Sequence, residues 1–406
     1  MEAAVRRPPS VLTRLAAALA GAVLAVTAAA VAAAPAQAAS LTPVTGFGSN
    51  PGNLAMYAYR PDGLPANAPA VVLLHGCAQN ATGYFTNSGW RKFADQWRFA
   101  LILAEQKSAN NSTSCFNWFE TGDTARGQGE ALSVKQMVDH AKANYGTAAN
   151  RVYVSGLSAG GAMAATMLAT YPDVFAGGSI VAGVPYRCAT SMINAFSCMN
   201  PGVNKTPAQW GDLVRNAHPG YTGARPKVAI WHGTADYTVA TANATESRDQ
   251  WTNVAGLSQT PGSTTTLPAG TTLETYGNDR VRVYRVSGMG HGTPIDPGSG
   301  ADQCGTAAAY FLDTICSAYR DALWFGLNGS GGPVPSPTAT ASPTPTPTAA
   351  PTCVTASNYA HVTAGRAYHS AGYAYATGSG QRMGLYNTFN SATLKQTAPS
   401  YWVVGC

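Results

Sequence analysis

Charge is what this sequence has least of. Only 11% of its 406 residues are Asp, Glu, Lys or Arg, against roughly 25% in an ordinary soluble domain. The formal charge of +6 is small and scattered along the chain. That argues against a nucleic-acid partner, which calls for Lys and Arg concentrated on one face. The cysteines never fall as C-x-x-C, and no H-E-x-x-H occurs. The usual zinc spacings are therefore missing, and neither a metal nor any other cofactor is expected. Beyond one amino-terminal segment, no run approaches the ~18 apolar residues of a membrane span. The stretch from Cys353 to Cys406 contains neither Asp nor Glu. A surface this poor in charge suits a neutral, uncharged partner, and we expect a monomer with no membrane or nucleic-acid contact.

What is present is apolar mass and cysteine. A hydrophobic fraction of 45% supports one large core plus a small module. Arg6, Arg7 and Arg14 precede an apolar stretch starting at Leu15, and Ala36-Gln37-Ala38 supplies the small residues of a cleavage site. Residues 1–39 thus read as a secretory signal peptide cut after Ala38 or Ala39, the alternative being an uncleaved anchor. Arg6, Arg7 and Arg14 against Glu2 give that segment +2 of the net +6, which leaves the remainder of the chain near +4. Export fits eight cysteines. Eight allow about 105 pairings, and the simplest joins neighbours in sequence: Cys77 to Cys115, Cys188 to Cys198, Cys304 to Cys316, and Cys353 to Cys406.

Short apolar runs alternate with helical spacing over residues 40–328. Leu54–Arg60 reads as an edge strand; Ala68–Leu74, Ala100–Ala104, Val152–Val154, Gly178–Ala182, Pro226–Trp231 and Val281–Val286 read as further strands. Gly89–Trp97, Glu130–Tyr145, Ala162–Ala169 and Tyr310–Phe325 carry helical periodicity. This alternation predicts an α/β domain with a mainly parallel sheet and its site at the carboxyl ends of strands. Residues 329–352 are rich in Pro and Thr and form a semi-rigid spacer. Residues 353–406 are aromatic and Gly-punctuated, which predicts a small β-domain.

The chemistry centres on Gly156-Leu157-Ser158-Ala159-Gly160. It is a G-x-S-x-G between a strand and a helix, the setting that places a serine on a sharp, exposed turn. A serine nucleophile needs a base, and the base needs an acid to orient it. His75 and His140 precede the serine, His218 and His232 precede or adjoin the best acid, and His361 and His369 lie in the tail. Elimination leaves His291, in a Gly-rich loop after Val281–Val286. Asp236, after the Pro226–Trp231 strand, is the acid in the chain order Ser, Asp, His. The oxyanion donors are expected to be the backbone N–H groups of Ala159 and Cys77. A Cys77–Cys115 bridge would bring Trp118 beside them. Trp118 and His75 are expected to line the cleft, and Tyr359, Tyr373, Tyr375, Tyr401 and Trp402 are the candidate polymer contacts of the tail.

Four segments resemble the extracellular short-chain polyhydroxyalkanoate depolymerases whose oxyanion residue precedes the serine box: Leu74–Gln79, Gly156–Gly160, His232–Asp236 and Gly288–Pro294. The Thr/Pro spacer and the Cys353–Val362 segment resemble that family's polyester-binding unit. The resemblance implies an α/β-hydrolase fold, Ser158, Asp236 and His291 as a triad, and hydrolysis of poly(3-hydroxybutyrate) as an insoluble polyester. Residues 40–328 are also similar to feruloyl and acetylxylan esterases, so a carbohydrate esterase with a polysaccharide-binding tail is the alternative. A third reading is a non-catalytic adhesion protein.

Overall fold

A computed structural model describes Met1 and residues 39–329, 353–370, 372–398 and 401–406. Nearly all of the expected signal peptide and of the expected spacer lies outside the described residues. The chain divides into two compact units, Met1–Val334 and Pro335–Cys406.

In the first unit the chain runs through β1 (Thr42–Val44), β2 (Ala55–Tyr59), β3 (Ala70–Leu74), α1 (Ala81–Asn87), α2 (Trp90–Trp97), β4 (Ala100–Glu105) and α3 (Gly129–Tyr145). It continues through β5 (Val152–Leu157), α4 (Ala159–Thr170), β6 (Gly177–Val181), α5 (Met192–Met199), α6 (Pro207–Ala217), β7 (Lys227–Gly233) and α7 (Ala242–Val254). The unit ends with β8 (Ser263–Leu267), β9 (Thr271–Tyr276), β10 (Val281–Val286), β11 (Thr293–Ile295), β12 (Phe311–Asp313) and α8 (Ser317–Phe325). Ten strands form one sheet in the order β1-β2-β4-β3-β5-β6-β7-β10-β9-β8. From β4 to β10 neighbouring strands are parallel. Both margins are antiparallel.

The central strands are buried almost from end to end because both of their faces are covered. On β3, Val72 and Leu74 join Ile102, Val154 and the helix residues Val134, Met137 and Met163. Val71 and Leu73 point the other way, into a layer with Trp90, Phe93 and Phe325. This period of two along one strand separates the two helical layers. The helix α4 is buried on every side, which its run of Gly and Ala permits. The order β4-β3-β5 reverses direction at β3, and the crevice that opens there lies between the carboxyl ends of β3 and β5.

Two expectations need correction. The Leu54–Arg60 strand is not the edge, because β1 pairs outside it with Thr42 opposite Ala58. Tyr310–Phe325 is not one helix. Phe311 is buried and pairs with Thr293, and the helix starts only at Ser317, capped by Cys316. Three of the four bridges lie in this unit: Cys77–Cys115, Cys188–Cys198 and Cys304–Cys316.

The second unit contains β13 (Cys353–Ser357), α9 (Asn358–Thr363), β14 (Ala367–Ser370), β15 (Tyr373–Ala376), β16 (Arg382–Leu385), β17 (Ser391–Ala398) and β18 (Tyr401–Val404). They form two three-stranded antiparallel sheets. The helix α9 is an addition to the expected β-rich module, started by the Ser357 hydroxyl accepting from Ala360 N. Ala376, Leu394 and Trp402 form a small core, and Cys353–Cys406 ties the two ends together. A core this small is the kind that a covalent staple supports.

Candidate active site

Ser158 stands between β5 and α4 with φ 57° and ψ −117°, a strained conformation for a residue with a β-carbon. The flanking glycines make it possible. A Cβ on Gly156 would lie 2.2 Å from Gly160 O, and one on Gly160 would lie 2.2 Å from Leu74 O. The turn is thus wedged against the end of β3. Ser158 N donates to Val181 O at 2.8 Å, and Ser158 O starts α4 by accepting from Ala162 N. The residue is left at the amino end of α4, directly after the carboxyl end of β5.

Asp236 and His291 come from the loops after β7 and β10. Their approach follows from the parallel pairing of those strands, Val286 opposite Gly233. Thr234 N donates to Val286 O, Ala235 N donates to Met289 O, and Gly288 N donates to the Thr234 hydroxyl. A Cβ on Gly233 would meet Met289 O at 2.1 Å, so the glycine lets the two loops touch. The outcome is a 2.7 Å hydrogen bond from His291 Nδ1 to Asp236 Oδ2. Asp236 Oδ1 accepts from Thr238 N and Val239 N, so both oxygens are committed. Burial pushes the Asp236 carboxyl up, but the His291 hydrogen bond and the neighbouring donors outweigh it and hold the acid below the usual range. Among the described residues the Ser158 hydroxyl makes no hydrogen bond to His291. Such bonds commonly tighten only once substrate is bound.

His232 is a neighbour that elimination by chain order set aside. Its Nε2 donates to Val239 O at 2.8 Å and lies 3.5 Å from Asp236 Oδ2. Burial lowers its pKa, so it stays neutral and braces the turn that presents Asp236. Its position four residues before the acid was the signal available in the sequence.

Cys77 and Ala159 lie at the crevice between β3 and β5. Both belong to, or pack on, one apolar cluster that also holds Trp118 and Phe119. The first N–H groups of α4 have no partner within the helix, and Ala159 supplies one of them. The Cys77 loop is fixed by its bridge to Cys115 and by Ala78 N donating to Thr113 O. Trp118 lines a cleft of about 570 Å³ beside Cys77, together with Phe119, Asn117 and, from α5, Met192 and Phe196. Met192 and Phe196 are exposed and were not anticipated. His75 does not line this cleft. It is 1% exposed, its Nδ1 bonds Gly76 O, and its Nε2 accepts from Gln106 N. The β3 strand carries it inward behind the loop.

In the tail, Tyr401 is exposed and Tyr359 is exposed and stacked on Tyr386, which in turn stacks on His369 at 4.5 Å. Tyr375 stacks on Tyr368, and the Arg382 guanidinium sits 3.7 Å over Tyr373. Trp402 is the exception among the expected contacts, being buried in the module's core. Phe389, 91% exposed, offers more apolar surface than any residue chosen from sequence.

Comparison with known proteins agrees with this fold. A family model described as Esterase PHB depolymerase matches residues 54–276. Poly(3-hydroxyalkanoate) depolymerase C of Paucimonas lemoignei is 55% identical over 294 residues, covering 71% of each chain. Feruloyl esterase B of Talaromyces stipitatus is 37% identical over 271 residues, 64% of this chain and 74% of that one. Among solved structures, an acetyl xylan esterase from Aspergillus awamori gives a TM-score of 0.62 at 28% identity, covering 71% of this chain and 99% of that one. The fold is that of an α/β-hydrolase, and the chain belongs to the Esterase PHB depolymerase family.

Proposed function

We infer that the chain is a serine carboxylic-ester hydrolase that cuts the ester bonds of polyhydroxyalkanoates, with poly(3-hydroxybutyrate)-type short-chain polyesters as its substrate. The 55% identity to a poly(3-hydroxyalkanoate) depolymerase over most of the chain supports the substrate class. The Asp236–His291 hydrogen bond, together with the strained Ser158 turn at the end of another strand of the same sheet, is the observation that supports the mechanism.

In this reading His291 Nε2 takes the proton of the Ser158 hydroxyl as its oxygen attacks an ester carbonyl. Asp236 holds the imidazole by Nδ1–H and stabilises the imidazolium that forms. The negative oxygen of the tetrahedral intermediate is held by the N–H groups of Cys77 and Ala159. Collapse breaks the ester C–O bond, and His291 protonates the departing hydroxyl end. Water then attacks the acyl-serine by the same route and releases a carboxylic acid end. The cleft walled by Trp118, Met192 and Phe196 receives polymer chain next to the reacting ester, and the tail's Tyr359, Tyr401 and Phe389 adsorb on the solid. Four disulfides support work in an oxidising compartment outside the cell, where the protein acts as a monomer.

Clearing of a turbid poly(3-hydroxybutyrate) suspension tests the proposal. Ser158→Ala should lower kcat by on the order of 10⁴–10⁶. The likeness to feruloyl and acetyl xylan esterases favours a second reading, cleavage of acyl groups from plant polysaccharide. Ferulate or acetate release without clearing would establish it instead.

A further inference from the structure

The part of His75 in this fold is unassigned. It is a buried titratable side chain that the mechanism above does not use, yet it adjoins one of the proposed oxyanion donors. Its Nε2 accepts a hydrogen bond from Gln106 N at 3.1 Å. An acceptor nitrogen carries no proton, so in the neutral ring the proton sits on Nδ1. Nδ1 is 2.7 Å from Gly76 O and donates to it. Burial lowers the imidazole pKa to about 4, so the neutral ring with this tautomer is the working form.

Gly76 O and Cys77 N belong to one peptide unit. The unit is planar and trans, so its C=O and N–H point in opposite directions. Fixing the carbonyl on one side therefore aims the N–H on the other. A hydrogen bond to the carbonyl also polarises the unit and strengthens its N–H as a donor. Gln79 N makes a second, longer bond to the same carbonyl at 3.2 Å, and the Gln79 side chain accepts from Gly76 N. The ring itself is held in place by contact with Phe116, at 5.0 Å between ring centroids.

Behind His75 the chain of contacts goes on. The Gln106 side-chain amide donates to Cys115 O and to the buried Glu130 carboxyl, and Glu130 accepts from Asn117 N at 2.9 Å. Glu130 and Gln106 are both buried. Asp123 is the charged group that faces Glu130. One buried network thus reaches the Gly76–Cys77 peptide, the Cys115 bridge and the segment carrying Trp118.

We propose that His75 is a positioning residue for the oxyanion hole, aiming the Cys77 N–H through the shared peptide, while Gln106 and Glu130 hold the ring's tautomer and place. This rests on the reading of Cys77 and Ala159 as oxyanion donors. Two substitutions separate the ring's two bonds. His75→Asn puts an amide N–H where Nδ1 stood and keeps the bond to Gly76 O. His75→Gln puts its amide near the Nε2 position and loses that bond.

The test uses the full chain with p-nitrophenyl butyrate and its thiono analogue, in which C=S replaces C=O and accepts hydrogen bonds weakly. Loss of one oxyanion donor costs about 10²–10³ in kcat, so a misaimed one should cost about 10- to 100-fold. His75→Gln should show that loss with KM within about threefold of wild type, and its preference for the oxygen ester over the thiono ester should shrink by a similar factor. His75→Asn should keep kcat within about fivefold. If His75→Gln does not fold, His75→Leu, which also lacks a donor at the Nδ1 position, takes its place with the same expected loss. Wild-type rates and preference in both variants would overturn the role of His75. Equal loss in both variants, with the ester preference unchanged, would also overturn it. A wild-type enzyme that fails to discriminate between the two esters would instead overturn the oxyanion-hole reading.

Discussion

At the scale of single residues, the site depends on how hydrogen bonds divide between two oxygens. Asp236 Oδ1 is held by two backbone N–H groups and Oδ2 by His291. Asp236→Asn would present an amide N–H to one of these donors and favour the wrong imidazole tautomer. It should lower kcat by about 10⁴ with the fold intact. Kinetics on a soluble ester beside circular dichroism checks this, and a loss below about tenfold would remove Asp236 from the triad. The three catalytic candidates were legible because the chemistry demands a fixed order of residue types and the sequence offers few histidines. The place of His75 was not. Its closeness to the proposed oxyanion loop follows from sequence, but the partners of its ring, Gln106 N and Gly76 O, depend on how the end of β3 lies beside β4. Trp402 failed for a related reason, because an aromatic residue in a tiny module serves as core as readily as surface.

At the scale of elements, the buried strands were the easiest to read. β3 is an unbroken apolar run, and β4 and β5 are apolar but for Glu105 and for Ser155 and Gly156, in keeping with strands covered on both faces. The β8–β9 hairpin was missed because Ser263–Leu267 is a Thr-rich, mostly exposed strand at the sheet margin, with no apolar alternation to announce it. Tyr310–Leu312 was merged into the following helix because its apolar residues continue the helix's own pattern. The turn between β5 and α4 has a sharper consequence. The atoms that crowd Gly160 are the backbone oxygens of Leu74 and His75, at 2.2 and 2.5 Å from an added Cβ. Backbone cannot rotate aside as a side chain can. Gly160→Ala should destabilise by about 1–3 kcal/mol and lower kcat as well, since the displaced segment leads into the Cys77 loop. Thermal melts and soluble-ester kinetics measure the two effects. A variant with wild-type Tm and kcat would show that the turn has slack this packing does not suggest.

At the scale of the whole molecule, buried carboxyls set the response to pH. Burial pushes Asp321 up to about 7, against hydrogen bonds from Ser179 and Trp231. Burial, with the Asp123 charge, pushes Glu130 up to about 8. Both hold a proton more tightly when folded than when unfolded, where carboxyls titrate near 4. Their contribution to stability is complete below about pH 4 and is lost as pH rises through about 7 to 8. Asp236 runs the opposite way, its contribution being present above about 4 and lost in stronger acid. The Tm should therefore fall between about pH 5 and pH 9. Asp321→Asn, which can still accept from Trp231 and pair with Ser179, should flatten that fall. Calorimetry at both pH values decides, and an unchanged slope would acquit Asp321. The two units give a second prediction. Deleting residues 331–406 should leave soluble-ester kcat/KM unchanged and slow polymer-film erosion by about tenfold or more, through loss of surface concentration.

The disulfide map carries a consequence for assembly. Each bridge joins cysteines that are consecutive in the chain, and the four loops neither nest nor overlap. A chain emerging amino end first from a narrow pore therefore completes one pair before the next cysteine arrives. An oxidant that joins thiols in order of arrival yields the native set directly, with no wrong partner to exchange. For this topology, vectorial synthesis itself does the sorting that a reduced, full-length chain would leave to an isomerase.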